Sequence, residues 1–180
     1  EIDVDEFESV PAVLQGAIEN YSSRPAFSNM GVSLTYAEID ALSIQFASWL
    51  LNEMKLKKGD RVAIMMPNCL QYPIATFGVL RAGLSVVNVN PMYTARELRH
   101  QLTDSGTSVI LVLDNFGHTV QKALDGLEDN PVRQVVTTGL GDLLGFPKGA
   151  IVNFVLKYIR KMVPDYDIPG AVRFRDTLAA

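Results

Sequence analysis

Apolar residues recur along this chain with two periods, about 3.6 and about 2, and the alternation between them marks out its elements. Over 10–22, VPAVLQGAIENYS puts Leu14, Ala17, Ile18 and Tyr21 on one helical face, with Ser9 placed to cap and Pro11 in the first turn. RPAFSNMGVSLTY then predicts a small hairpin turning at Asn29–Gly31. Thr35 and Glu38 have the T-x-x-E spacing of a capping box, and the helix they open carries Ile39, Leu42, Phe46, Leu50 and Met54 inward. LKKGD, 56–60, ends it with Gly59 in a turn, and RVAIMM, 61–66, is a short strand. Pro67 stops the strand. Asn68 is expected to cap a helix over about 69–82, which carries Leu70, Ile74, Phe77 and Leu80 and is closed by Gly83.

The second half repeats the scheme. LSVVNVN, 84–90, is an apolar strand with little polar alternation. A second capping box, Thr94 to Glu97, opens a helix whose Leu98 and Leu102 face the core. SVILVL, 108–113, is a third strand, followed by a helix around 118–128 and a strand around 132–138. Unalternating strands separated by periodic helices argue for a parallel sheet covered on both faces. The expected fold class is therefore α/β, a layered domain of βαβ units with 61–66, 84–89 and 108–113 as parallel neighbours.

Three strands end beside small polar or turn residues, in MMPN, NVNP and VLDN, and such strand ends are where open α/β sheets hold ligands. The elbow NVNPMYT admits two readings: a ligand site, or a local turn in which Pro91 ends the strand, Asn90 bonds its own backbone and Tyr93 packs over the next helix.

Other candidate chemistry is sparse. His100 and His118 lie apart, neither with a Cys or Glu at ligand spacing, and both read as ordinary helix or loop residues. Cys69, the single cysteine, follows the expected cap; a helix start can stabilise a thiolate, but a small buried hydrophobe is the plainer reading. GFPKG, 145–149, imitates a phosphate loop but lacks its Ser/Thr run and reads as a turn into a helix. That helix, 149–163, puts Ile151, Phe154, Val155, Tyr158, Ile159 and Met162 on one broad face beside Lys157, Arg160 and Lys161. Two readings stay open: a basic amphipathic helix on an anionic membrane, or core packing with a solvated basic stripe.

Composition narrows the classes. The 180 residues include 48% hydrophobic positions, enough for a core, and the formal net charge of −4 gives no support to a nucleic-acid partner. One cysteine excludes a disulfide framework. The acidic opening EIDVDEFESV is unlike a secretory leader, and no apolar run is long enough to span a bilayer, so a cytoplasmic protein is expected, peripheral at the inner face of the cell membrane if 149–163 meets lipid.

Several of these stretches resemble one family. SLTYAEI, 33–39, the long run GDRVAIMMPNCLQYPIATFGVLRAGLSVVNVNPMYTARELRHQLTDSG, 59–106, and KYIRKMVPDYDIPGAVRF, 157–174, are similar to bacterial long-chain fatty-acid–CoA ligases, acyl-CoA synthetases of the adenylate-forming superfamily. The NPMYTARE portion, 90–97, has the form of the fatty-acid members. The resemblance covers nearly the whole chain and implies the amino-terminal third of such an enzyme. It implies fatty acid, ATP and coenzyme A as substrates and Mg²⁺ as the metal, with an acyl-adenylate between the two steps. By the same resemblance 1–180 is an incomplete N-terminal domain. The phosphate loop with its lysine, the adenine-side aromatic motif, the Mg²⁺-site glutamate, the ribose-binding aspartate and the lysine of the mobile C-terminal domain all lie beyond this stretch. No catalytic, cofactor-binding or metal-binding residue is carried over, and the segment alone is expected to be inactive. Apolar surface left by the missing elements would be hidden by a homodimer. The alternatives are a sister adenylating enzyme acting on another carboxylate, or a noncatalytic module that binds a membrane or a protein.

Overall fold

The computed structural model describes residues 7–179, so the first six residues of the acidic opening lie outside the described residues. In chain order the elements are α1 (Val10–Tyr21), β1 (Pro25–Asn29), β2 (Val32–Thr35), α2 (Tyr36–Asn52), β3 (Arg61–Met65), α3 (Gln71–Arg81), β4 (Ser85–Asn88), α4 (Ala95–Ser105), β5 (Val109–Leu113), α5 (Gly117–Leu124), β6 (Gln134–Thr138), α6 (Lys148–Phe154), β7 (Val172–Arg173) and α7 (Phe174–Thr177). A 3₁₀ turn, Asp114–Phe116, leads into α5, and a π-helical turn, Val155–Ile159, continues α6.

The local signals explain most boundaries. The Ser9 side chain accepts from the Ala12 N–H and starts α1. Both capping boxes close: Thr35 with Glu38, and Thr94 with Glu97, each exchange hydroxyl and carboxylate bonds with backbone N–H groups. In the hairpin, Met30 and Gly31 both have positive φ, so β1 and β2 are joined by a two-residue turn that matches the strand twist. Two boundaries differ from expectation. Asn68 does not cap α3, which starts after Leu70 with no side-chain cap; the Asn68 carbonyl instead accepts from the Asn29 side chain. α5 ends at Leu124 rather than near 128, because Asp125 is extended and Gly126 takes a left-handed φ.

Five strands form one parallel sheet in the order β4-β3-β5-β6-β7. The three expected neighbours are adjacent, with β3 in the middle. Successive residues in the strands enter two separate cores. Val62 and Ile64 of β3, with Val109, Leu111 and Leu113 of β5, face α2, α3 and Phe174. Ala63 and Met65, with Ile110 and Val112, face Leu98 and Leu102 of α4 and Val120 and Ala123 of α5. Both faces are dry, which is why the strands show no polar alternation.

The packing of α2 on α3 is the tightest part of the first core. A Cβ on Gly78 would lie 2.9 Å from the Phe46 ring. That ring stacks on Trp49 and meets Phe174 edge-on at 5.1 Å between centroids. β7 and α7, which carry Phe174 into this core, have no periodic signature of their own in the sequence.

The segment after β6 departs furthest from expectation. The helix expected over 149–163 is an α-helix only to Phe154; its last turn is π-helical, and Lys161 has φ +51°. Pro164 follows three residues later and disfavours helical backbone at Val163. Among the described residues the core-packing reading of its apolar face does not hold: Ile151, Phe154, Tyr158, Ile159 and Met162 are exposed, and Val155 is half-buried. Rotation is set from the other side, where the Gly141 and Gly149 backbones approach so closely that a Cβ on either would meet the other's carbonyl oxygen. Asn153 accepts from the Gly141 N–H at 2.8 Å and donates to Asp142 at 2.8 Å. Val152 then packs against the first core, and the broad apolar face is left outward.

Candidate functional site

The carboxyl ends of the strands gather the polar groups of the molecule. β4 ends at Asn88, whose side chain accepts from the Tyr72 hydroxyl and whose carbonyl accepts from Gln101. β5 runs into Asp114 and Asn115, and β6 into Thr138, Gly139 and Asp142. The chain returns through β7 and delivers Arg173 between them. Its guanidinium donates to both Asp114 oxygens, at 2.8 and 3.1 Å, to Asp142 at 2.9 Å and to Thr137 at 3.0 Å. Asp142 also accepts from the Gly139 N–H and the Thr138 hydroxyl. Partial burial pulls the Arg173 guanidinium down, but the two carboxylates more than offset this and hold it above its ordinary value. The Tyr166 hydroxyl donates to Asp114 at 2.8 Å; burial, then this carboxylate, pushes it up to about 12.

This cluster is a clamp. One cation bridges two carboxylates and ties β5, β6 and β7 together at the edge where an open α/β sheet receives ligands. Behind it Gln71, fully buried at the start of α3, donates to Gly139 at 2.8 Å and to Thr138 at 3.3 Å. Its Oε1 has no partner among the described residues, so the edge keeps one desolvated acceptor. A cavity of about 70 Å³ lies between Asp114, Asn115, Gly139, Leu156 and Lys157, under the π-helical turn.

The remaining sequence candidates fall elsewhere. At the NVNP elbow the local-turn geometry is present: Asn90 accepts from the Met92 N–H at 3.0 Å, and Tyr93 packs against the second core. Cys69 is buried against Met66; loss of solvent raises its pKa, so it behaves as a small hydrophobe. His100 is exposed on α4, and His118 sits partly buried beside Thr119. Among the described residues no group of three His, Cys, Asp or Glu side chains is placed to hold a metal. GFPKG does turn into a helix, and the Lys148 ammonium donates to the Met30 carbonyl of the hairpin turn. Sequence reasoning missed Arg173, Asp142 and Gln71. The visible signal was the Asp114 at the end of VILVL, a carboxylate that needs a partner once buried.

Comparison with known proteins supplies what the geometry alone does not. A family model described as AMP-binding enzyme matches residues 14–166. A long-chain-fatty-acid–CoA ligase of Escherichia coli O6:H1 is 49% identical over 178 residues, which is 99% of this chain and 31% of the ligase. The ligase of the same description from Yersinia pestis is 50% identical with the same coverage. The chain thus spans about a third of the length of the curated relatives it matches. Among solved structures, a benzoate CoA ligase from Burkholderia xenovorans LB400 superposes with a TM-score of 0.70 at 20% identity, over 94% of this chain and 28% of that one. That likeness speaks to the fold.

Proposed function

Since the chain belongs to the AMP-binding enzyme family, we propose that it is the amino-terminal part of a bacterial long-chain fatty-acid–CoA ligase. The observation that carries this is the near-half identity to such ligases over 99% of the chain, the NPMYTARE elbow included. In the reaction, a fatty-acid carboxylate oxygen attacks the α-phosphorus of ATP and pyrophosphate leaves. The thiol of coenzyme A then adds to the acyl carbon, and AMP leaves with the carboxylate's oxygen. Adenylation is needed because a carboxylate is a poor electrophile; the acyl-adenylate gives it a leaving group.

The part of this chain in that reaction is architectural. The clamp of Arg173, Asp114 and Asp142 fixes the carboxyl edge of the sheet, and Gln71 holds the β6 end against α3. The described carboxylates at this edge do not fit Mg²⁺: Arg173 already occupies the position of a cation between them. Mg²⁺, together with the groups that hold ATP and coenzyme A, belongs on our reading to the rest of the enzyme. The reading includes a cytoplasmic enzyme peripheral to the inner face of the membrane, and a homodimer.

The test is turnover by the full-length protein. With ATP, Mg²⁺ and coenzyme A, palmitate should yield palmitoyl-CoA and AMP in equal amounts, well ahead of benzoate or oxalate. Residues 1–180 alone should yield neither product. Preference for an aromatic or short dicarboxylic acid would replace the proposal with a sister adenylating enzyme. Turnover by 1–180 alone would overturn the assignment of its role.

A further inference from the structure

We infer that residues 146–162 form a docking surface for an anionic phospholipid bilayer, and that docking there holds the carboxyl edge of the sheet toward the lipid. The inference deepens the peripheral-membrane part of the reading above and rests on it, while its observations are independent of ligase chemistry.

The surface is apolar and outward. Phe146 is 93% exposed, and Ile151, Phe154, Tyr158, Ile159 and Met162 are each at least 54% exposed. Phe154 and Tyr158 pack on each other at 5.1 Å between ring centroids. Exposed apolar side chains gathered in one segment in this way mark a contact with something apolar.

Charge selects the occupant. Between 143 and 163 there are four basic residues, Lys148, Lys157, Arg160 and Lys161, and no acid. Lys157 sits 5.7 Å from the Tyr158 ring centroid, so cation and aromatic face lie together. A second copy meeting this patch through a two-fold axis would set the same cations against each other. A neutral apolar partner would leave them without counter-charge. An anionic bilayer meets both features at once, with apolar side chains among the acyl chains and ammonium and guanidinium groups at the phosphates.

The mounting is rigid. The Gly141–Gly149 approach and the two Asn153 bonds fix the first turns of α6, and Asn115 donates to the Met162 carbonyl at 2.8 Å. Rolling the apolar face inward would break all of these. Asp114, Asn115 and Gly139 share a small cavity with Leu156 and Lys157, so the edge bearing Asp114 lies directly behind the docking segment.

The test uses the full-length protein and sedimentation with phosphatidylglycerol-containing or pure phosphatidylcholine vesicles. Changing Lys157→Gln, Arg160→Gln and Lys161→Gln together should weaken binding to the anionic vesicles about 10- to 100-fold at low salt. Binding to neutral vesicles and the melting curve should not change. Orientation is read with Tyr158→Trp and, separately, Glu128→Trp in the loop before β6 at the opposite end of the sheet. Lipids brominated in the acyl chains should quench the indole introduced at 158 and not the one at 128, each read as the difference from the full-length protein without the introduced indole; Trp49 is buried. Unchanged anionic binding by the triple variant overturns the docking surface, as does an indole at 158 that is inaccessible before vesicles are added because the enzyme's own chain covers it. Equal quenching at both positions overturns the orientation. Palmitoyl-CoA formation from detergent-dispersed palmitate is scored separately, so a failure of docking is distinguishable from a failure of the ligase reading.

Discussion

β5 and the segment 146–162 are both dense in large apolar residues, yet they end in opposite environments. Val109 to Leu113 are all buried, on alternate faces of the sheet, between two layers of helices. Ile151, Phe154, Tyr158, Ile159 and Met162 face outward, although their spacing would suit a core helix. Apolar density therefore does not decide burial. In β5 every direction leads to a packed layer. In α6 the inward face was taken by the smallest and most specific residues, Gly149 and Asn153, and the larger ones had nowhere else to go.

The contrast can be broken most sharply by removing one aromatic ring from each region. Phe46→Ala, in the core with Phe174 and Trp49, should cost about 3–5 kcal/mol in denaturant unfolding. Phe154→Ser should stay within about 0.5 kcal/mol. Comparable losses would mean that α6 belongs to the core after all.

A smaller effect comes from the seam between the regions. Gly149→Val places a side chain against the Gly141 carbonyl, where even a Cβ meets the oxygen at 2.2 Å. The expected cost is about 1–3 kcal/mol, with α6 loosened and exchange of its amides accelerated while those of β5 stay protected. Uniform acceleration in both segments would contradict the separation drawn here.

The smallest effect sharpens the comparison from the side of local structure. Backbone and hydroxyl bonds from Thr35 and Thr94 hold the Glu38 and Glu97 carboxyls below their ordinary range. A depressed folded value means that this contribution is full above the unfolded carboxylate range and fades as pH falls through the folded value. Thr94→Ala should cost about 1 kcal/mol near neutrality, and the gap from the unmodified protein should narrow below about pH 4. A gap independent of pH would assign the whole effect to the hydroxyl.

The same contrast shows what could be read from the sequence. The parallel sheet was legible because strands buried on both faces leave unbroken apolar runs, and both capping boxes were legible because four residues suffice to define them. The clamp was not. Arg173 lies 59 positions from Asp114 and 31 from Asp142, and only the return of the chain as β7 brings them together. The outward face of α6 was not legible either, since periodicity gives a helix its two faces but not their direction. That was settled by a backbone contact between two glycines, a signal with no hydrophobic pattern. The family resemblance survived this gap because it rests on contiguous runs such as NPMYTARE, which need no tertiary information.

The most direct measurement is hydroxyl-radical footprinting of the full-length protein, which scores both regions in one sample. The account predicts rapid oxidation of Phe154, Tyr158 and Met162 beside strong protection of Phe46 and Phe174, with the first group becoming protected when anionic vesicles are added. Equal protection of all five in free solution would contradict it.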